Sequence, residues 1–183
     1  MNAGVLHRKR RMGDRGTLIV KSRLVSLLLL PLAVPVAAEQ ALPVAESVLV
    51  DKSERKLWLI SKGRKYREYD ISLGKSPLGH KQRLGDKRTP EGRYVIDYRN
   101  PESRYHLSLH IDYPRERDLQ QALDKGIDPG GNIFIHGLPN GSGQRHGTLR
   151  GKDWTDGCIA VNNREIEEIW ALVMDGTPIE ITQ

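Results

Sequence analysis

Apolar residues recur along this chain in short bursts, not in long helical stripes. Val48-Leu49-Val50 and Leu57-Trp58-Leu59-Ile60 flank the polar stretch Asp51 to Lys56, which predicts a β-hairpin opening a domain at Ser47. Arg64 to Leu73 alternates weakly and predicts another strand. Gly74 to Gly92, rich in Gly, Pro and Lys, is loop, and Arg93 to Tyr98 is the next strand. Tyr105 to Ile111 alternates strictly, with His106, Ser108 and His110 on one face and Leu107, Leu109 and Ile111 on the other. Pro114 to Lys125 predicts a short helix with Leu119, Ala122 and Leu123 inward, closed by Gly126. Asn132 to His136 is a buried strand, and Gly137 to Asp156 a long Gly-rich loop of a length usually tied to function. Asn162-Asn163-Arg164-Glu165 is a capping box opening a helix to about Met174 that buries Ile166, Ile169, Trp170 and Val173. Pro178 to Thr182 is a last strand. The pattern predicts one mainly β domain with two short helices and leaves sandwich and barrel both open.

The first residues have a different character. Arg8-Lys9-Arg10-Arg11, Arg15, Lys21 and Arg23 form a basic region, Leu24 to Val36 is apolar, and Val36-Ala37-Ala38 offers small residues for cleavage. This is the layout of a secretory signal peptide over residues 1–38, with 39–46 as a linker and 47–183 as the domain. The apolar run is too short to span a bilayer, which takes about 20 apolar residues, and two prolines interrupt it. Stable membrane insertion after cleavage is therefore not expected. The formal net charge is +6. The leader holds 7 of the 29 basic and 1 of the 23 acidic residues, so 22 of each remain. A neutral domain argues against nucleic acid as a partner.

One cysteine is present, Cys158, in Trp154-Thr155-Asp156-Gly157-Cys158-Ile159. A single Cys in an exported chain cannot close an internal disulfide, so it is an inert buried thiol, an intermolecular bridge or a reactive thiol. Three features favour reactivity. Gly157 permits a tight turn and close approach of a substrate. Peptide N–H groups near Gly157 and Cys158 are placed to hold an oxyanion. A helix N-terminus follows, and its dipole favours negative charge. His136 ends the strand upstream and is the candidate base, with the carbonyl of Gly137 available to set its tautomer. Thr155, Asp156, Asn163, His146, Arg145 and Arg150 are further candidates for orienting or binding substrate, the last three, on the loop, by meeting substrate carboxylates. A metal site would have to draw on His106, His110, His136, His146 and Cys158, and no zinc spacing occurs among them. No metal or cofactor is expected.

Ile135-His136-Gly137, a Gly-rich loop, Thr155-Asp156-Gly157-Cys158-Ile159 and Asn163 resemble the signature of the YkuD-type L,D-transpeptidase catalytic domain. Ile71 to Gly74 and Thr89-Pro90-Glu91-Gly92-Arg93-Tyr94 match earlier motifs of that family in the right order. The resemblance runs from about Ser47 to Ile181. Asp156 stands where many members have His, and Ala160 where many have Arg or Asn. The resemblance implies a thiolate of Cys158 attacking a peptidoglycan stem peptide, a thioester, and transfer to an amine acceptor, either a neighbouring stem or a lipoprotein lysine. Water as acceptor would make it a hydrolase, and a wall-binding module without catalysis is the remaining alternative. Export with wall chemistry implies the periplasm.

Overall fold

The computed structural model describes residues 42–141, 149 and 151–183. The leader, the first linker residues, Arg145, His146 and Arg150 lie outside the described residues. Eight strands make one sheet: β1 Ser47–Asp51, β2 Lys56–Ser61, β3 Arg64–Asp70, β4 Gly92–Asn100, β5 Ser108–Ile111, β6 Ile133–His136, β7 Ile159–Ala160 and β8 Thr177–Thr182. Among the described residues, two helices with defined bounds accompany them, α1 Glu116–Asp124 and α2 Asn163–Leu172. The spatial order is β3-β2-β1-β8-β4-β5-β6-β7. The β1–β8 and β6–β7 pairs are parallel and the others antiparallel.

The two ends of this sheet meet. Just past β3, Ser72 bridges Ala160 of β7, and Gly74 bridges Thr155. The sheet is therefore curled and closed by a short seam, which decides between sandwich and barrel in favour of a barrel-like form. Alternation along the strands turns Val48, Val50, Ile96, Leu109, Ile111, Ile135, Ile159, Ile179 and Ile181 into one buried cluster. Ile166, Ile169 and Leu172 of α2 pack into it, each burial contributing about 2 kcal/mol. The α2 capping box is present: Asn162 accepts from Glu165 N at 2.9 Å and Glu165 accepts from Asn162 N at 2.9 Å.

Four expectations need correction. β7 has no counterpart in the sequence pattern, because two residues carry no period and the seam itself creates the strand. The strand expected from Tyr105 starts only at Ser108, since His106 takes a left-handed φ of 68°. His106 and His110 consequently diverge, to Glu167 on α2 and to Asp97 on β4, each at 2.6 Å. On α1 only Ala122 points inward as expected; Leu119 and Leu123 are 50% and 73% exposed. Asp118 is buried in their place, accepting from Tyr94 Oη at 3.1 Å and Arg115 N at 3.1 Å. Those donors satisfy the carboxylate well enough to offset its loss of water. Trp170 is only partly buried against the core, and Leu172 completes the helix face.

Candidate active site

The seam holds the candidate nucleophile. Thr155 N donates to Leu73 O at 3.1 Å, and Lys75 N to Thr155 O at 3.0 Å. The buried Thr155 hydroxyl donates to Cys158 O at 2.7 Å and accepts from Gly157 N at 3.2 Å. Residues 155–158 thus form a closed turn stapled to the neighbouring strand. Gly157 has a φ of 133°, and a Cβ there would lie 2.8 Å from the carbonyl of Arg88. Both facts demand glycine. Because Gly157 N is already bonded to Thr155, it is not an unengaged oxyanion donor in this conformation.

The register Ile135↔Ile159 and His136↔Ala160 sets Cys158 one step before β7, beside Phe134. Ile135 and Ile159 face the core, so His136, Phe134 and Cys158 share the outer face. Cys158 is half-buried, and its thiol donates to Asn132 O at 3.6 Å instead of to the His136 ring. Enclosure by protein pushes the thiol above its ordinary value; the Phe134 N–H pulls it down, Asp156 pushes it up and Lys81 pulls it down. Asp156 itself is exposed and pairs with Lys75 at 3.2 Å.

His136 is sealed, 3% exposed, with Tyr105 at 4.4 Å and Trp154 at 5.7 Å between ring centroids. Burial lowers its pKa to about 4, against a smaller opposing effect of its bond to Gly137. The ring is therefore neutral at pH 7. Its Nδ1 donates to Gly137 O at 2.7 Å, which leaves the lone pair on Nε2. Gly137 is itself clamped, since a Cβ there would lie 2.8 Å from Asn163 Oδ1 and 3.0 Å from Tyr105 O. Asn163 accepts from Leu138 N at 2.8 Å, so the first residue of α2 holds the segment that orients the histidine. Beyond Trp154 opens a cavity of about 690 Å³ lined by Ile71, Leu138, Trp154, Ala160, Asn163 and Arg164, among others. Among the described residues no cluster of three or more metal-ligating side chains occurs, and no helix is long and apolar enough to cross a membrane.

The structure thus brings together Cys158, Gly157, Thr155, His136, Gly137 and Asn163, and turns Asp156 outward. The sequence reading missed Tyr105, whose ring covers His136, and Asp153. That carboxylate accepts from Leu73 N at 3.0 Å and Arg55 Nη2 at 2.8 Å, tying the seam to the β1–β2 turn. Neither carried a local signal: Tyr105 meets His136 from 31 residues away, and the partners of Asp153 lie 80 and 98 residues away.

The sequence profile of the YkuD family, the L,D-transpeptidase catalytic domain, matches residues 45–181. The chain belongs to that family. YafK from Escherichia coli strain K12, provisionally named an L,D-transpeptidase, is 31% identical over 133 residues, covering 69% of this chain and 46% of its own. The chain thus spans about half the length of the curated relatives it matches. The helical cell shape determining protein Pgp2 from Campylobacter jejuni is 26% identical, with a TM-score of 0.56 over 73% of this chain and 46% of that one. Bd1075 from Bdellovibrio bacteriovorus is 27% identical, with a TM-score of 0.52 over 75% and 48%. An L,D-transpeptidase from Xylanimonas cellulosilytica shares the fold at 16% identity, with a TM-score of 0.51 over 78% and 62%.

Proposed function

We propose that this chain is an exported L,D-transpeptidase that transfers acyl groups of peptidoglycan stem peptides through Cys158. What supports the reading is that a thiol in a hydrogen-bonded turn and a neutral imidazole, whose tautomer leaves Nε2 as acceptor, stand in neighbouring register with the same facing. The basic-then-apolar leader supports export to the periplasm.

The reaction begins when Sγ leaves the Asn132 carbonyl and turns toward Nε2 of His136. The thiol proton passes to Nε2 as sulfur attacks the carbonyl carbon of the third stem residue. The C–S bond forms, the bond to the fourth residue's nitrogen breaks, and the imidazolium returns the proton to the leaving amine. An acceptor amine then attacks the thioester, loses its proton to His136, and the thiol is regenerated. Thr155 and Gly157 keep the turn in shape, Gly137 and Asn163 keep the ring in register, and backbone N–H groups beside Cys158 receive the oxyanion.

Purified tetrapeptide muropeptides with an acceptor amine supply the test. The expected product is the cross-linked mass, and Cys158→Ala should yield none. A tripeptide alone would make the protein a hydrolase; product from Cys158→Ala would refute the thiol route.

A further inference from the structure

The ladder between β4 and β5 slips once. Ile96 pairs with Ile111 and Tyr98 with His110, which leaves Asp97 as an extra residue between them. Such a bulge re-aims side chains. Strict alternation from the buried Ile96 would turn Asp97 outward and Tyr98 inward. The bulge sets both outward: Tyr98 is 43% exposed and the Asp97 side chain 42%. His110 Nδ1 donates to Asp97 Oδ1 at 2.6 Å, and Tyr98 stacks on the same imidazole with 4.6 Å between centroids and 19° between planes. Phe134 meets both rings edge-on, at 4.9 Å from His110 and 6.2 Å from Tyr98. Among the described residues His110 Nε2 has no hydrogen-bond partner.

This aromatic row runs to the sulfur. The pair Ile135↔Ile159, continued by one residue, puts Phe134 beside Cys158, whose thiol lies 3.6 Å from Asn132 O on the same segment. Leu109, Ile111, Ile133, Ile135 and Ile159 fill the core, so Tyr98, His110, Phe134 and Cys158 stand in line on the outer face. Neighbouring strands lie about 4.8 Å apart, so Tyr98, three strands away, stands about 14 Å from the cysteine.

We propose that the Tyr98–His110–Phe134 row, with Asp97, is a saccharide-binding surface that seats the sugar carrying the stem peptide. The inference rests on Cys158 attacking the third stem residue. Three residues counted back toward the sugar reach about 10 Å, and the link between stem and sugar adds to that span. The sugar therefore falls over the far end of the row. Its chemistry matches what is held there. A saccharide ring presents apolar C–H groups on its faces, which suit the flat ring of Tyr98. Its rim presents hydroxyl donors, which suit the Asp97 carboxylate and the free Nε2 lone pair of His110. Stacking already fixes the phenol ring, so little side-chain freedom is lost when the sugar docks.

Calorimetric titration of the full chain carrying Cys158→Ala, which cannot turn the ligand over, tests this. The two ligands are the disaccharide tetrapeptide and the same tetrapeptide without sugar. The disaccharide form should bind about tenfold more tightly. Tyr98→Ala should reduce that preference to about twofold or less and leave the sugar-free peptide's affinity unmoved, whereas Tyr98→Trp should keep the preference. Should Tyr98→Ala not fold, Tyr98→Leu, which retains bulk and loses the flat face, is read the same way. Equal binding of the two ligands, no binding of the disaccharide form, or a preference that survives in the folded variant overturns the proposal. So does equal weakening of both ligands, which would assign the row to the peptide. Binding needs no acyl transfer. A Tyr98-dependent sugar preference in a chain that, with Cys158 intact, makes no muropeptide product would defeat the transpeptidase reading and leave the surface standing; an active enzyme without the preference would do the reverse.

Discussion

Acidification should remove a block of stability held by one ring. In the folded chain burial holds His136 at about 4, whereas an exposed histidine titrates at 6.5. Above pH 6.5 the ring is neutral in both states and its contribution is complete. Between 6.5 and about 4 the unfolded chain takes up a proton that the native chain refuses, so stability falls as pH falls. At 1.36 kcal/mol per pH unit the window amounts to about 3 kcal/mol, a large share of the 5–15 kcal/mol typical of a domain. Below pH 4 this ring takes nothing further away. Urea titrations at pH 7.5, 6, 5 and 4, followed by tryptophan fluorescence, measure the loss. His136→Gln keeps a donor for the Gly137 carbonyl and has no titration. His80, whose pKa burial also lowers, acts equally in both proteins and cancels in their difference. The difference in stability between wild type and His136→Gln should therefore shrink by about 3 kcal/mol across the window. Parallel curves from pH 7.5 to 4 would refute the argument that the imidazole is kept neutral by burial.

Two further outcomes follow from packing. Gly137→Ala puts a methyl group 2.8 Å from Asn163 Oδ1 and 3.0 Å from a backbone carbonyl, so the Asn163–Leu138 bond must give. Product formation on muropeptides should fall at least tenfold, with a stability loss of about 1–3 kcal/mol in urea titration. On α1 the ranking by hydrophobicity should invert: Asp118→Ala should cost about 1–3 kcal/mol by leaving Arg115 N without its acceptor and Tyr94 Oη with the Glu91 carbonyl at 3.3 Å in place of the carboxylate, whereas Leu123→Lys should stay within about 0.5 kcal/mol. Thermal denaturation of the two variants checks this.

Much of the architecture is written locally. The β1–β2 hairpin, β4, β6, β8 and the capping box of α2 follow from alternation, turn residues and the Asn162–Glu165 pair, which act over a few residues and need no distant partner. Cys158 and His136 stand out for the same reason: a lone thiol after Gly157, and a histidine closing an apolar run before Gly137, are local chemistry. Apolar periodicity misled on α1, because Asp118 is buried by donors contributed from β4 and from its own N-terminus, a partnership invisible along the helix.

What the sequence determined by itself is every strand but β7, the helix that plugs the core and the candidate thiol and imidazole, since propensity, period and capping are short-range. What tertiary structure alone decided is where the sheet closes. The Ser72–Ala160 and Gly74–Thr155 bridges join residues 88 and 81 positions apart, and from that closure come β7 and the Asp153 tie. Contacts across such separations depend on the shape the whole sheet adopts. The burial that keeps His136 neutral, with Tyr105 and Trp154 over its ring, has the same origin.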